Sequence, residues 1–325
     1  MPSGCVIVTG AGGFAGSHLL DAMGSAGTHV VAWHRPGEPP IHRSGPHVAW
    51  QAVDVLDRAT VRSAVRAAAP AVVVHLAGAA HVGQSWTDIA STLAINVIGT
   101  HVVLDAVARE APDARVVVTG SAAVYRGGPD ALDEAAPLEP SSPYALSKLA
   151  QERLALRVAR DERLAVVVAR PFNHIGPRQA PSFFASGFAQ QIARIEAGRA
   201  APVLRVGNLD ARRDLTDVRD TVAAYLALAR QGRAGDVYNV CSGRAYAIRE
   251  VLDRLLALAR VTVSVELDPE RLRPSDTPVL VGDPGRLARD TGWTPVIPID
   301  RTLADILDEW RQVAAGGSAA APPGA

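Results

Sequence analysis

The chain has 325 residues, 48% of them apolar and 20% charged, with 33 basic side chains matched by 33 acidic ones. That is ordinary globular composition, and it excludes a disordered or fibrous chain. Zero net charge gives no strong field for nucleic acid or an anionic membrane. No uninterrupted apolar run reaches the roughly 18 residues that a membrane span needs.

Two cysteines, Cys5 and Cys241, sit in strand-like apolar runs and read as buried free thiols of a reducing compartment. The histidines form no metal-ligand spacing, so no metal is expected. The first apolar strand starts at Gly4–Cys5 with no signal peptide before it, and the location expected is cytoplasmic. Of the 33 basic residues only Lys148 is a lysine. A position that keeps lysine under so strong an arginine bias is a candidate for chemistry that arginine cannot do.

In chain order, strands are expected at Cys5–Thr9, Thr28–His34, His47–Val53, Val72–Leu76, Arg115–Thr119 and Leu164–Arg170. Helices are expected at Phe14–Ala26, Asp57–Ala68, Thr87–Glu110 and Pro143–Asp161. Strands alternating with helices predict an α/β fold of Rossmann type, a doubly wound parallel sheet. Past Arg170 the pattern changes. Pro171–Gln179 is loop-like, Phe183–Ala197, Ile248–Arg260 and Thr302–Val313 read as helices, and Pro202–Val206, Val237–Val240 and Thr262–Val265 as short strands. This predicts a cofactor domain over 1–170, rejoined by about 213–243. A smaller mixed α/β substrate lobe takes 171–212 and 244–313, and a disordered tail covers 314–325.

After the first strand comes Gly10-Ala11-Gly12-Gly13-Phe14-Ala15-Gly16. Gly10, Gly13 and Gly16 suit a dinucleotide turn: one for the tight bend, one for close approach of backbone N–H groups to a pyrophosphate, one for helix–strand packing. Gly12 and Phe14 belong to the same turn. The second strand ends Trp33-His34-Arg35, without the carboxylate that holds an NAD ribose. Arg35 would instead pair with a 2′-phosphate, which favours NADP (NADPH), with NAD possible.

Ser142 and Pro143 start a helix as N-cap and N1. Tyr144 and Lys148 then share one face at i, i+4. A cationic neighbour and the positive helix start are both expected to favour tyrosinate, making Tyr144 an acid/base near neutral pH. Ser121, at the ligand end of the fifth strand, would hydrogen-bond the reacting oxygen.

With Ser121, Tyr144 and Lys148 in place, the chain resembles the extended short-chain dehydrogenase/reductase family over residues 4 to about 312. TGAGGFAG, HLAGAAHV and SPYALSK carry the resemblance. It implies Ser121, Tyr144 and Lys148 as the catalytic triad. Asp54 and Val55 would lie on the adenine, and Leu76 and Ala77, in the second motif, beside the cofactor. Asn96 matches a family residue that is often structural. The segments 170–179, 206–214, 238–243 and 271–276 resemble the nucleotide-sugar branch, most of all the subgroup of GDP-mannose 4,6-dehydratase and GDP-4-dehydro-6-deoxy-D-mannose reductase. That implies a GDP-sugar substrate whose diphosphate meets Asn173, Arg213 and Arg273. It also implies a homodimer through a helix bundle made of Thr87–Glu110 and Pro143–Asp161.

A 4,6-dehydratase needs proton-transfer groups beyond the tyrosine. In the dehydratases, carboxylates follow the triad Ser/Thr by one or two positions; here those positions are Ala122 and Ala123. Asp130, Asp133 and Glu134 are expected to be solvated. The reading is therefore NADPH-dependent reduction of the C4 ketone of a GDP-4-keto-6-deoxy-mannose, to GDP-D-rhamnose or GDP-6-deoxy-D-talose. A nucleotide-sugar 4-epimerase with tightly held NAD is the alternative, and a non-catalytic NADP-binding regulator a third. His81, Ser85, Trp86 and His174 either line the sugar pocket or pack.

Overall fold

The computed structural model describes residues 4–38, 45–271 and 277–316. Its first elements are β1 (Val6–Thr9), α1 (Phe14–Gly24), β2 (Val30–His34), β3 (Val48–Ala52), α2 (Arg58–Ala68) and β4 (Val72–His75). Two short helices follow, α3 (Val82–Ser85) and α4 (Ile89–Leu93), and a π-helical segment, Ala94–Gly99, runs into α5 (Thr100–Glu110). Next come β5 (Arg115–Thr119), α6 (Pro143–Asp161), β6 (Ala165–Pro171), β7 (Asn173–Ile175), α7 (Phe184–Glu196) and β8 (Val203–Val206). Then follow β9 (Arg212–Asp217), α8 (Val218–Gln231), β10 (Val237–Val240) and β11 (Ala245–Ala247). The last are α9 (Ile248–Ala257), β12 (Ser264–Leu267), β13 (Val279–Leu280), α10 (Gly285–Thr291) and α11 (Ile299–Ala314).

The large sheet has seven strands in the order β10-β6-β5-β4-β1-β2-β3. Every neighbouring pair in it is parallel, with Val6 opposite both Val30 and Val72. β1 thus sits centrally, and the order reverses between β1 and β4. That switch point is where open α/β sheets bind ligands, beyond the carboxyl ends of the strands. Strands such as VIVT and VVVH are buried along their whole length, and apolar except at their last residues Thr9 and His75, because helices cover both faces. On one face Leu19 and Met23 of α1 pack with Val222 and Tyr225 of α8. On the other, Val61 and Val65 of α2 pack with Val103 and Val107 of α5 and Val158 of α6.

A second core lies under α7, α9 and α11, where Phe188, Ile192, Leu252, Leu255, Ile306 and Trp310 meet. Its strands are a four-stranded group, β11-β9-β13 with β7 on β9, and a separate β12-β8 pair. Arg178 ties the two parts together: its N–H donates to Glu309 Oε2 of α11 at 2.6 Å, and its guanidinium reaches Asp21 of α1 at 2.7 Å.

Several expectations change. The helix Thr87–Glu110 is α4, a π turn and α5. As one stretch, Ile89–Glu110 is long and apolar enough to cross a membrane, but 44% of its most apolar 18-residue window is buried inside the protein. Its apolar side covers the sheet, so it serves as a core helix here. Pro171–Gln179 is not all loop, since Asn173–Ile175 pairs with Leu215–Asp217. Leu287 and Trp293, expected in the substrate lobe, pack in the core with α1 and α8, because α10 folds back beside β10. Cys5 and Cys241 are free thiols just outside β1 and β10, and only Cys241 is fully buried. Ala314, placed in the tail, closes α11 within the second core; residues 317–325 lie outside the described residues.

Candidate active site

The turn after β1 is set by close backbone approach. Gly10 has φ +63°, and a Cβ there would lie 2.7 Å from the Ala77 nitrogen. A Cβ on Gly16 would lie 2.5 Å from the Gly10 carbonyl, so α1 packs onto the turn only because that position is glycine. A Cβ on Gly12 would meet nothing within 4 Å, so this glycine faces open space. Gly13 is the N-cap and has no side chain to satisfy the first N–H groups of α1. The result is a bare helix start with a smooth approach, which fits a dinucleotide pyrophosphate. Phe14 opens the helix and stacks on His174 of β7, the ring centroids 5.6 Å apart and the planes within 5°.

Ala11 N–H donates to the Trp33 carbonyl, which places the ends of β1 and β2 side by side. Arg35 stands just beyond β2, 70% exposed, its guanidinium 3.2 Å from Glu38. Asp54 and Val55 follow β3. One Asp54 oxygen accepts from the Leu56 N–H, and Val55 packs against Gly99. Leu76 and Ala77 follow β4, with the Ala77 N–H donating to Thr9 Oγ1 at 3.1 Å.

The other half of the site stands on β5 and α6. Ser142 caps α6 by accepting from the Ala145 N–H, and Pro143 occupies the first turn, as the sequence predicts. Ser121 follows β5, and its hydroxyl is hydrogen-bonded to the Tyr144 phenol. Lys148, one turn further along α6, is buried, and its ammonium donates to the Thr119 carbonyl at 2.7 Å. The structure therefore brings Ser121, Tyr144 and Lys148 to one place.

The expected ionisation of the tyrosine is corrected. Burial pushes the Tyr144 phenol above its usual range, and the Ser121 hydrogen bond offsets only part of that. Burial likewise pulls Lys148 down to about 7. Desolvation sets the direction of both shifts, where the helical spacing alone suggests that the neighbouring charge would dominate.

Two further residues hold this half in place. Asn96, on the π turn, accepts from the Ala79 N–H at 2.8 Å and donates to Ser147 Oγ at 2.8 Å. It thereby links the loop after β4 to the helical turn between Tyr144 and Lys148, as π bulges often do at functional sites. Ser85, foreseen only as a sugar-pocket or packing residue, accepts from the Tyr144 N–H at 3.2 Å. Its signal was the position before Trp86 on a segment leading into the site. His81 packs against Phe183, with ring centroids 5.1 Å apart and the planes tilted by 30°.

Ala122 and Ala123 open a short 3₁₀ turn directly after Ser121. Glu134, expected to be solvated, is 5% exposed and pairs with Arg286 at 3.3 Å; it also accepts from the Asn239 N–H. The loop folds inward here because β10 presents main-chain donors that need partners.

Of the substrate candidates, Asn173 begins β7 and Arg213 lies half-buried on β9, its guanidinium donating to the carbonyls of Arg212 and Thr277. Arg273 lies outside the described residues. Among the described residues no group of His, Cys, Asp and Glu could hold a metal.

The fold is that of the extended short-chain dehydrogenases/reductases. A family model for GDP-mannose 4,6 dehydratase matches residues 7–306, and the chain belongs to that family. It is 38% identical to GDP-6-deoxy-D-mannose reductase of Pseudomonas aeruginosa over 94% of this chain and 96% of that one. The structure of RMD from the same organism, complexed with NADPH, superposes with a TM-score of 0.83 at 35% identity, covering 96% and 100% of the two chains. MoeE5 in complex with UDP-glucuronic acid and NAD superposes with a TM-score of 0.84 at 30% identity, covering 95% and 100%.

Proposed function

We propose that this protein is an NADPH-dependent reductase of a nucleotide sugar, acting on the C4 ketone of a GDP-4-keto-6-deoxy-mannose and giving GDP-D-rhamnose or GDP-6-deoxy-D-talose. Support comes from the likeness to a GDP-6-deoxy-D-mannose reductase and to a neighbour that holds NADPH. The observation that carries the reaction type is local. Ser121, Tyr144 and Lys148 converge, and the two residues after Ser121 are alanines. Alanine can neither take the C5 proton nor protonate a leaving hydroxyl, so the site suits reduction and not dehydration, despite the family's name.

Bound NADPH would supply the hydride. Gly10, Gly12, Gly13, Phe14 and Gly16 would hold its pyrophosphate, Asp54 and Val55 its adenine, and Arg35 its 2′-phosphate. Leu76 and Ala77 would flank it. The chain's own residues do the rest. Ser121 orients the ketone oxygen toward Tyr144. The Tyr144 phenol, kept protonated by burial, gives its proton to that oxygen as it becomes the C4 hydroxyl. Lys148, one helical turn from Tyr144, would supply positive charge as the tyrosinate forms, which lowers the cost of that charge. Asn173 and Arg213, and by the sequence resemblance Arg273, would meet the substrate diphosphate.

A second copy of the chain is the partner this reading includes. Trp86, Ile89, Ile98 and Leu146 are each about half exposed on α4, the π turn, α6 and the segment before them. They form an apolar face on the two helices expected to pair in a dimer.

The direct test is to mix the purified protein with the GDP-4-keto-6-deoxy sugar and NADPH and follow the absorbance of reduced nicotinamide. One NADPH oxidised per ketone consumed is expected. No net oxidation, with NAD retained through purification, would establish the epimerase instead. Intact NADPH binding without turnover would establish a regulator.

A further inference from the structure

The turn that approaches the cofactor and the helix that carries the acid lie on different elements, and a buried polar chain joins them. Thr9 Oγ1 lies 2.8 Å from His75 Nδ1. His75 Nε2 lies 2.9 Å from Thr100 Oγ1. Gln151, three residues after Lys148 on α6, donates to the same Thr100 oxygen at 2.8 Å. Thr9, His75, Thr100 and Gln151 are each fully buried. The His75 carbonyl accepts from Thr119 Oγ1 at 2.9 Å, and the Thr119 carbonyl is the one that holds Lys148.

The direction of each bond follows from counting protons. The Thr100 hydroxyl donates its one proton to the Asn96 carbonyl at 2.7 Å. Toward His75 it can only accept, so His75 Nε2 carries a hydrogen. Thr9 Oγ1 already accepts from the Ala77 N–H, and its proton is left for His75 Nδ1. The imidazole is thus neutral with its hydrogen on Nε2. Burial and the nearby Lys148 charge, which together pull its pKa down to about 3, keep it so.

We propose that His75 is a positioning residue: accepting from Thr9 and donating to Thr100, it holds the glycine turn after β1 and the Ala77 N–H after β4 in register with the helix bearing Tyr144 and Lys148. At one end the chain fixes the Ala77 N–H through Thr9. At the other it fixes Thr100, and through it the Asn96 carbonyl and Gln151 on α6. The first end serves cofactor binding and the second the geometry of proton transfer. This inference rests on the reading that the glycine turn holds NADPH.

The test uses the full-length chain with Thr9→Val, Thr9→Ser, Thr100→Val, Thr100→Ser and His75→Phe. Three quantities are read: the NADPH dissociation constant by fluorescence without sugar, kcat with the keto sugar, and the melting temperature. Loss of one buried hydrogen bond corresponds to about tenfold in an equilibrium or rate constant. Thr9→Val is expected to weaken NADPH about that much with kcat nearly unchanged, and Thr100→Val to lower kcat about that much with NADPH affinity nearly unchanged. The serine variants, which keep the hydroxyl, restore each value. His75→Phe shows both losses; should it not fold, the two threonine pairs decide.

If both valine variants shift both constants together, or lower only the melting temperature, the chain is structural and the proposal falls. Failure of the unsubstituted protein to bind NADPH would instead overturn the cofactor reading on which it rests.

Discussion

The ammonium of Lys148 donates to the main-chain carbonyl of Thr119 at 2.7 Å, which pins the chain's one lysine at the ligand end of β5, two residues from Ser121. Burial there pulls it down to about 7. Near neutral pH, part of the protein therefore carries a neutral amine before NADPH arrives, and the negative cofactor favours the ammonium. Binding should take up a proton, and affinity should fall as pH rises above about 7. Titration calorimetry in two buffers of different ionisation enthalpy measures this. Lys148→Met is expected to abolish the uptake; uptake that persists in this variant would place the titrating group elsewhere.

Acid should weaken the fold before most carboxylates titrate. Free histidine protonates near pH 6.5, but folded His75 resists until about 3 and folded His18 until about 4. Between those limits the unfolded chain binds more protons, so stability falls as pH drops through that window. Denaturant midpoints at about pH 7 and about pH 4.5 give the size of the loss. His75→Asn should reduce it, because one depressed group is removed. An equal loss in the variant would assign the effect to other groups.

Arg170 of β6 and Glu152 of α6 form a two-bond ion pair at 2.6 and 2.7 Å, with both side chains almost fully buried. The guanidinium also donates to Tyr125, whose hydroxyl donates to Asn239 of β10. Glu152→Leu leaves a buried cation without its counter-charge and should cost about 3–5 kcal/mol of stability. Adding Arg170→Met should recover part of that loss. Urea unfolding reads both; a double variant weaker by the sum of the two single losses would contradict the pairing.

Arg35 is exposed and, among the described residues, its guanidinium pairs with Glu38, so it can turn to a 2′-phosphate at little cost. Arg35→Ala should weaken NADPH about tenfold, the worth of a charge-assisted contact, and leave NADH nearly unchanged. Equal weakening of both cofactors, measured by fluorescence quenching, would remove the 2′-phosphate assignment.

Much of the cofactor half was legible because local chemistry determines it. Pro143 and Ser142 mark the start of α6 whatever surrounds them, and the glycine spacing marks the turn after β1. The strand β9 was not legible as a strand. Its sequence RRDLTD has no apolar alternation, yet Asp214 is buried, accepting from the N–H groups of Ser242, Gly243 and Gly282. Only the fold supplies those donors. The protonation of Tyr144 is not legible for a similar reason: spacing reveals a neighbouring charge, but the burial that raises the phenol depends on elements distant in the chain. Glu134 likewise owes its inward position to Asn239 and Arg286, more than a hundred residues away.

The phenol of Tyr144 as proton donor to a sugar ketone is tested most directly by comparing the native protein with Tyr144→Phe on the GDP-4-keto-6-deoxy sugar and NADPH. The native protein should oxidise NADPH in step with ketone loss. The variant should bind NADPH equally well yet turn over about a thousandfold more slowly, the usual worth of a positioned general acid. A variant that reduces the ketone at the native rate would contradict the assignment of the acid.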